Sequence, residues 1–451
     1  MQRAPSRTTP RLTHAITIIQ MLRLVVTLVL VARCSACLHT AAGYTCNYPT
    51  IGAGYTPPTA VTAHASLDLD QKGIEDALKK SPVDYSGAKT IYDNGGLSQK
   101  PTKSIKSFSS SASSKMAAHK EFLKYNAYYG DGDYADKWVQ AALAGTPTAF
   151  SSGKGNADFA VVSDDDTRIQ GVKKGTVFLG FWMWVLYELE AGIDNCVTGQ
   201  AGNSNAVHRW DEGVAFYTGS LQTTQDTASG NMMYALSQKR CINFNTCGPA
   251  GGALTGISQA NTKVFAAFNS GLKALEEGRC TDIRPFLDTA TAHGAVPLIQ
   301  GALKYAYTKA GSTRSTKALA EAATFAAAIL PRVASCSSAD AAIIYDALKI
   351  GATSTDFKVV KKAFENNYAC MNITCADVGG YMEDGVYLPD AAPCTGSSGS
   401  DDDMKQIGLI LSIVGGTLCG IGILFGARMM MKKSKAKKGG APSTETIPTV
   451  V

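Results

Sequence analysis

Apolar residues along this chain recur at three- and four-residue spacing rather than in alternation, and that period belongs to helices. It predicts helices over 70–80, 115–128, 133–145, 171–193, 205–218, 231–243, 257–278, 282–310, 314–333, 338–350 and 355–368. Sustained period-two alternation is scarce. The expected fold is mostly α, a helical ectodomain of packed helical hairpins. Segments 101–114 and 151–166, rich in small and polar residues, are read as long loops. One run is apolar on every side: Val177–Tyr187, VFLGFWMWVLY. Its 11 residues cannot span a bilayer, so it is read as a buried core helix. Glu188 and Glu190 follow. Glu188 continues the stripe from Trp184, so either it is drawn inward to a partner or both acids sit in solvent.

The ends carry other patterns. Residues 1–43 start basic, continue through the apolar run Ala15–Ala32 and end in small residues, as a secretory signal cleaved between 36 and 43 does. A retained signal anchor is the alternative. Near the other end Ile407–Ala427 runs 21 residues without a charge, long enough to cross a bilayer. Asp401, Asp402 and Asp403 precede it, and basic residues from Arg428 follow. The positive-inside rule then makes the tail cytoplasmic. The expected layout is a signal (1–43), an ectodomain (44–388), a polar stalk (389–406), one transmembrane helix (407–427) and a basic tail (428–451). That is a single-pass type I protein of the plasma membrane. Gly416, Gly420, Gly422 and Gly426 have the spacing of a homodimer seam, with ordinary membrane-helix glycine as the plainer reading.

Charge and cysteine agree with an exported chain. The net charge of +6 comes from the ends; without residues 1–33 and 428–451 there are 32 basic and 36 acidic side chains. A mildly acidic centre removes the main support for nucleic-acid binding. Of 12 cysteines, Cys34 falls in the signal and Cys419 in the membrane span. The others suit disulfides in an oxidising compartment. Cys241 and Cys247, like Cys370 and Cys375, are close enough for local loops, though spacing does not give connectivity. Zinc is the weaker reading. Asn372-Ile-Thr374 is a glycosylation sequon and implies a surface loop.

Two polar clusters could carry chemistry. The first is Ala206–Ser220, AVHRWDEGVAFYTGS. On a helix His208 lies one turn before Asp211 and Glu212, so the three share a face, while Tyr217 falls out of phase. An imidazole with two carboxylates suits a metal ion, and Arg209 beside them suits a small oxyanion. The second is Tyr128–Trp138, YYGDGDYADKW. Structurally it is a turn in which Asp131 or Asp133 caps a helix at Tyr134; functionally, its tyrosines could face a ligand. It lacks the ligand series of an EF-hand. The tryptophans 138, 182, 184 and 210 fall in or beside these clusters and the apolar run, which suggests that the three pack together. GxSxG, HExxH, P-loop and dinucleotide patterns are missing, so no enzyme is expected. The lone His293 reads as structural.

An ordered series of segments adds a resemblance. It comprises Ile91-Tyr-Asp-Asn-Gly-Gly, Lys106-Ser-Phe-Ser-Ser-Ser, Tyr128-Tyr-Gly, Tyr134-Ala-Asp-Lys-Trp-Val and Trp210-Asp-Glu-Gly-Val-Ala-Phe-Tyr-Thr-Gly. Gln238-Lys-Arg-Cys-Ile-Asn-Phe-Asn-Thr-Cys and Pro297-Leu-Ile-Gln-Gly-Ala-Leu-Lys-Tyr-Ala-Tyr complete it. Over residues 65–375 the chain resembles the algal iron-assimilation proteins, which include high-CO2-inducible periplasmic proteins and membrane-anchored, iron-starvation-induced phytotransferrins. The C-terminal anchor is similar to that of the phytotransferrin branch. The resemblance implies a cell-surface receptor for Fe(3+), with carbonate as synergistic anion and internalisation to endosomes as the uptake step. Endocytic proteins or a surface reductase are the implied partners. The family name invokes transferrin, whose lobes are α/β, whereas the periodicity here is helical.

Ferric iron is hard, so carboxylates and phenolates should supply most ligands. The candidates are His208, Asp211, Glu212, Tyr128, Tyr129, Asp131, Tyr134 and Glu188, with Arg209 as carbonate anchor. Phenolate ligation releases protons, which makes the site acid-labile. Two other classes stay open. One is a structural or adhesive surface protein without stoichiometric metal; the other is a metal-dependent surface enzyme.

Overall fold

Helices dominate the computed structural model, which describes residues 55–100, 102–161, 164–200, 204–310 and 315–395. The signal, the membrane span with its glycines, the tail, Cys37 and Cys46 lie outside the described residues. Strand structure among the described residues is the hairpin Met382–Glu383 with Val386–Tyr387.

Most expected helices form within a few residues of their expected ends, among them Asp68–Ala77, Lys120–Tyr129, Tyr134–Ala144, Ser204–Thr218 and Arg284–Ala310. The helix Tyr85–Asn94 adds to those that the spacing predicts; Asp84 starts it by accepting from Gly87 N at 2.7 Å. Segment 101–114 is not a loop. Ser104 and Ser107 form a reciprocal capping box that opens the helix Ile105–Ser110, so the serines satisfy main-chain groups instead of loosening the chain. The Tyr134 helix, in contrast, has no side-chain cap. Asp131 turns away to Lys137 and to Ser151, whose N–H it accepts at 2.8 Å.

The apolar run lies inside a continuous helical stretch: Asp165–Gly175, a π turn at Thr176–Phe181, and Trp182–Asn195. Val177–Leu186 is buried throughout. This stretch and Thr316–Cys336 are long and apolar enough to cross a membrane, but both form the interior of the fold. The run touches both polar clusters from different ends: its π turn meets Tyr134–Ala144, and Trp182–Asn195 runs along Ser204–Thr218. The second pair approaches closely at two glycines. A Cβ on Gly213 would lie 2.9 Å from the Leu189 side chain, and one on Gly192 would lie 3.1 Å from Ala206 O. Trp210 holds the other side, buried with Nε1 donating to Phe268 O at 3.0 Å.

Among the described residues four disulfides join Cys196–Cys280, Cys241–Cys247, Cys336–Cys370 and Cys375–Cys394. The Cys241 loop is local, as its spacing allowed. Cys370 and Cys375 are not paired with each other, because each meets a partner brought by tertiary structure. Ala391 is buried and Cys394 bridged, so the chain stays folded to Cys394 where a polar stalk was expected from 389.

Candidate metal centre

The helix Ser204–Thr218 presents His208 and Glu212 one turn apart, and the short helix Thr62–Ala65 brings His64 against them. His64 Nε2 lies 2.9 Å and His208 Nε2 3.0 Å from the same Glu212 Oε1. These three ligand-type atoms lie within 4.8 Å of one another. His64 and Glu212 are buried, whereas the His208 side chain is 35% exposed and opens the cluster to solvent. Burial lowers the His64 pKa, against the raising effect of its bond to Glu212. Burial would raise Glu212, but hydrogen bonds from His208 and His64 outweigh it and hold that carboxyl well below its usual range.

Asp211 does not point into the cluster. It accepts from Tyr55 OH at 2.5 Å, Thr59 N at 3.0 Å and Thr59 Oγ1 at 2.5 Å, which ties down the chain leading to His64. Thr59 Oγ1 also lies 3.0 Å from His208 Nδ1. A hydroxyl has one proton, so a Thr59 that donates to ionised Asp211 must accept from Nδ1–H. His208 is then held with Nε2 directed at Glu212, the arrangement in which outer carboxylates set the tautomer of a metal-binding histidine. An Nε2 facing a carboxylate oxygen needs a cation or a proton between them. Burial pushes Asp211 up to about 7, against the donors from Thr59 and Tyr55. Protonation of Asp211 reverses the donor order along this chain.

Glu188 is drawn inward. It is buried, and its Oε2 accepts from Arg209 Nη1 at 2.9 Å; the same nitrogen reaches Glu212 Oε2 at 3.1 Å. Burial and the neighbouring Glu212 charge push Glu188 up to about 8, against the Arg209 charge. Glu190 is also buried and pairs with Arg284 at 2.7 Å, so neither acid sits in solvent. Lys115 completes the rim, its Nζ 5.1 Å from the Trp184 ring centroid.

The tyrosines of the second cluster are placed elsewhere. Tyr129 OH donates to Ala327 O at 2.7 Å and Tyr134 OH to Leu179 O at 3.4 Å. Tyr128 packs edge-on against Tyr129, centroids 5.0 Å apart. Burial raises all three phenols well above their ordinary pKa, which disfavours phenolate. Tyr217 faces the core and donates to Asn261 Oδ1 at 2.9 Å. His208, Arg209, Glu212 and Glu188 thus come together, Asp211 stands behind His208, and Tyr128, Tyr129, Asp131 and Tyr134 form a separate structural group. His64 and Thr59 could not be found from sequence. A single histidine in a four-residue helix carries no periodic signal.

Comparison with curated proteins and with solved structures gives no match. A family model does: Fea1, described as low iron-inducible periplasmic protein, matches residues 25–386. The match spans most of the chain and includes every residue of the cluster. This chain therefore belongs to the low iron-inducible periplasmic protein family, and the centre at His64, His208 and Glu212 is a feature of a protein linked to iron assimilation.

Proposed function

We propose that the protein is a cell-surface receptor that captures ferric iron at His64, His208 and Glu212, with Glu188 as a further carboxylate. The convergence of two imidazole Nε2 atoms on one carboxylate oxygen carries this reading. Bonds of about 2.1 Å at right angles set neighbouring donor atoms about 3 Å apart, which is the spacing found here. Family membership supplies the link to iron. Phenolates are left out of the ligand set, because Tyr129 and Tyr134 donate to main-chain carbonyls and burial disfavours ionising Tyr128. The remaining metal positions fall to water and to carbonate, which competes with Glu188 and Glu212 for Arg209. Acid weakens the site because each imidazole must be unprotonated at Nε2 to bind. The uncharged span 407–427 supports an anchored receptor, taken up by internalisation with endocytic proteins or a surface reductase as partners. Binding, not catalysis, is the activity.

The test is titration of the purified protein with iron(III), supplied as a weak chelate, at about pH 8 and about pH 5, with and without bicarbonate. Stoichiometric binding at the higher pH, tightened by bicarbonate and lost at the lower, is expected. Equal weak binding in all four conditions sinks the reading. One observation favours a competitor: Arg209 already clamps Glu188 and Glu212, as in a structural or adhesive surface protein. That reading expects no stoichiometric metal.

A further inference from the structure

Asn372-Ile373-Thr374 takes no part in the metal centre, and it is the chain's single Asn-X-Ser/Thr tripeptide. The fold treats its residues in opposite ways. Asn372 is exposed and adopts φ 57°, a left-handed conformation that asparagine tolerates better than most residues. Ile373 is buried and anchors the turn. Thr374 is locked as the N-cap of the helix Cys375–Val378. Its hydroxyl donates to Asp377 Oδ2 at 2.8 Å, and its own N–H reaches the same oxygen at 2.8 Å. Asp377 is buried, pairs with Lys263 and lies beside His293. Disulfides flank the tripeptide on both sides, Cys336–Cys370 before it and Cys375–Cys394 after it.

We propose that Asn372 carries an N-linked oligosaccharide, attached before the Cys375–Cys394 loop closes. Transfer requires the hydroxyl residue of the tripeptide as well as the asparagine. In the folded turn that hydroxyl is committed to Asp377, so the native chain presents only half of the acceptor. The exposed Asn372 side chain nevertheless leaves room for the sugar once it is attached. In the reaction Asn372 Nδ2 bonds to the anomeric carbon of an oligosaccharide carried on a polyisoprenyl pyrophosphate. The anomeric C–O bond breaks, the lipid pyrophosphate leaves, and one Nδ2 proton passes to solvent. Four disulfides and the periplasmic family description are consistent with passage through a compartment where this donor is met.

The test expresses the full chain through a eukaryotic secretory route and treats it with a peptide-N-glycosidase in heavy-oxygen water. Label at position 372 and a mobility shift are expected. Asn372→Asp, which tolerates the left-handed backbone, should abolish the shift, and Thr374→Ser, which keeps both hydroxyl and cap, should retain it. Unmodified Asn372 in the exported, disulfide-bonded full chain overturns the proposal. For the order of events, sugar-free full chain from bacteria is offered to microsomes before and after reduction and unfolding. Modification only after unfolding is expected; equal modification of the oxidised, folded chain overturns the ordering.

Discussion

Two segments of this molecule each mix acids with aromatics, yet they end in opposite conditions. In Tyr128–Asp136 the side chains of Tyr129, Asp131, Tyr134 and Asp136 are paired with main chain or with neighbouring side chains. Tyr129 shows why. Pro331 lies inside the helix Thr316–Cys336 and has no N–H for the carbonyl four residues back, which is Ala327. Tyr129 OH fills that vacancy at 2.7 Å. This cluster staples one helix to another. In Ala206–Ser220 the side chains of His208 and Glu212 meet each other and His64 instead of backbone, which puts three ligand-type atoms within 4.8 Å of one another. Residue chemistry is shared; what differs is whether the groups converge on main chain or on one another.

The largest expected effect tests that convergence. His208→Ala, and separately His64→Ala, should lower iron affinity by on the order of a hundredfold, at or beyond the top of the range of about 10–100-fold seen when an outer partner is lost. Isothermal titration reads it, and wild-type affinity in both variants would place the metal elsewhere. Thr59→Val comes next. It touches no ligand atom proposed for the metal but frees His208 Nδ1, so affinity should fall about tenfold with the fold intact. On the other cluster, Tyr129→Phe should leave iron binding unchanged while costing about 1–3 kcal/mol in urea unfolding, since Ala327 O loses its donor. That cost should shrink in a Pro331→Ala background, where the helix regains its own N–H. A cost unaltered by Pro331→Ala breaks the stapling argument.

A smaller effect belongs to a buried histidine outside the candidate metal centre. His293 lies beside Asp377 and burial lowers it to about 4, below its unfolded value of about 6.5. A depressed histidine pKa contributes stability above about pH 6.5 that is lost as pH falls through about 4, because the unfolded chain binds the proton first. The melting temperature should therefore drop by a few degrees over that window, and His293→Asn should flatten the drop without altering iron affinity. The smallest change is expected for Asp133→Ala. Asp133 makes no cap bond, so unfolding should shift by less than about 0.5 kcal/mol.

By itself the sequence determined the helical class, most helix positions and the burial of Val177–Leu186, because period and apolarity act locally along the chain. It also placed His208 and Glu212 on one face, since one helical turn separates them. Tertiary structure decided the rest. His64 and Thr59 arrive from far upstream; Glu188 reaches Arg209 only because Gly192 and Gly213 let two helices cross closely. Tyr129 is held away from the candidate site by Ala327 O, a carbonyl four residues before Pro331, and Tyr134 by Leu179 O. Local spacing fixes which side chains share a face. Which carbonyls go unpaired, and which distant residue fills the gap, depends on packing between elements that no local pattern encodes.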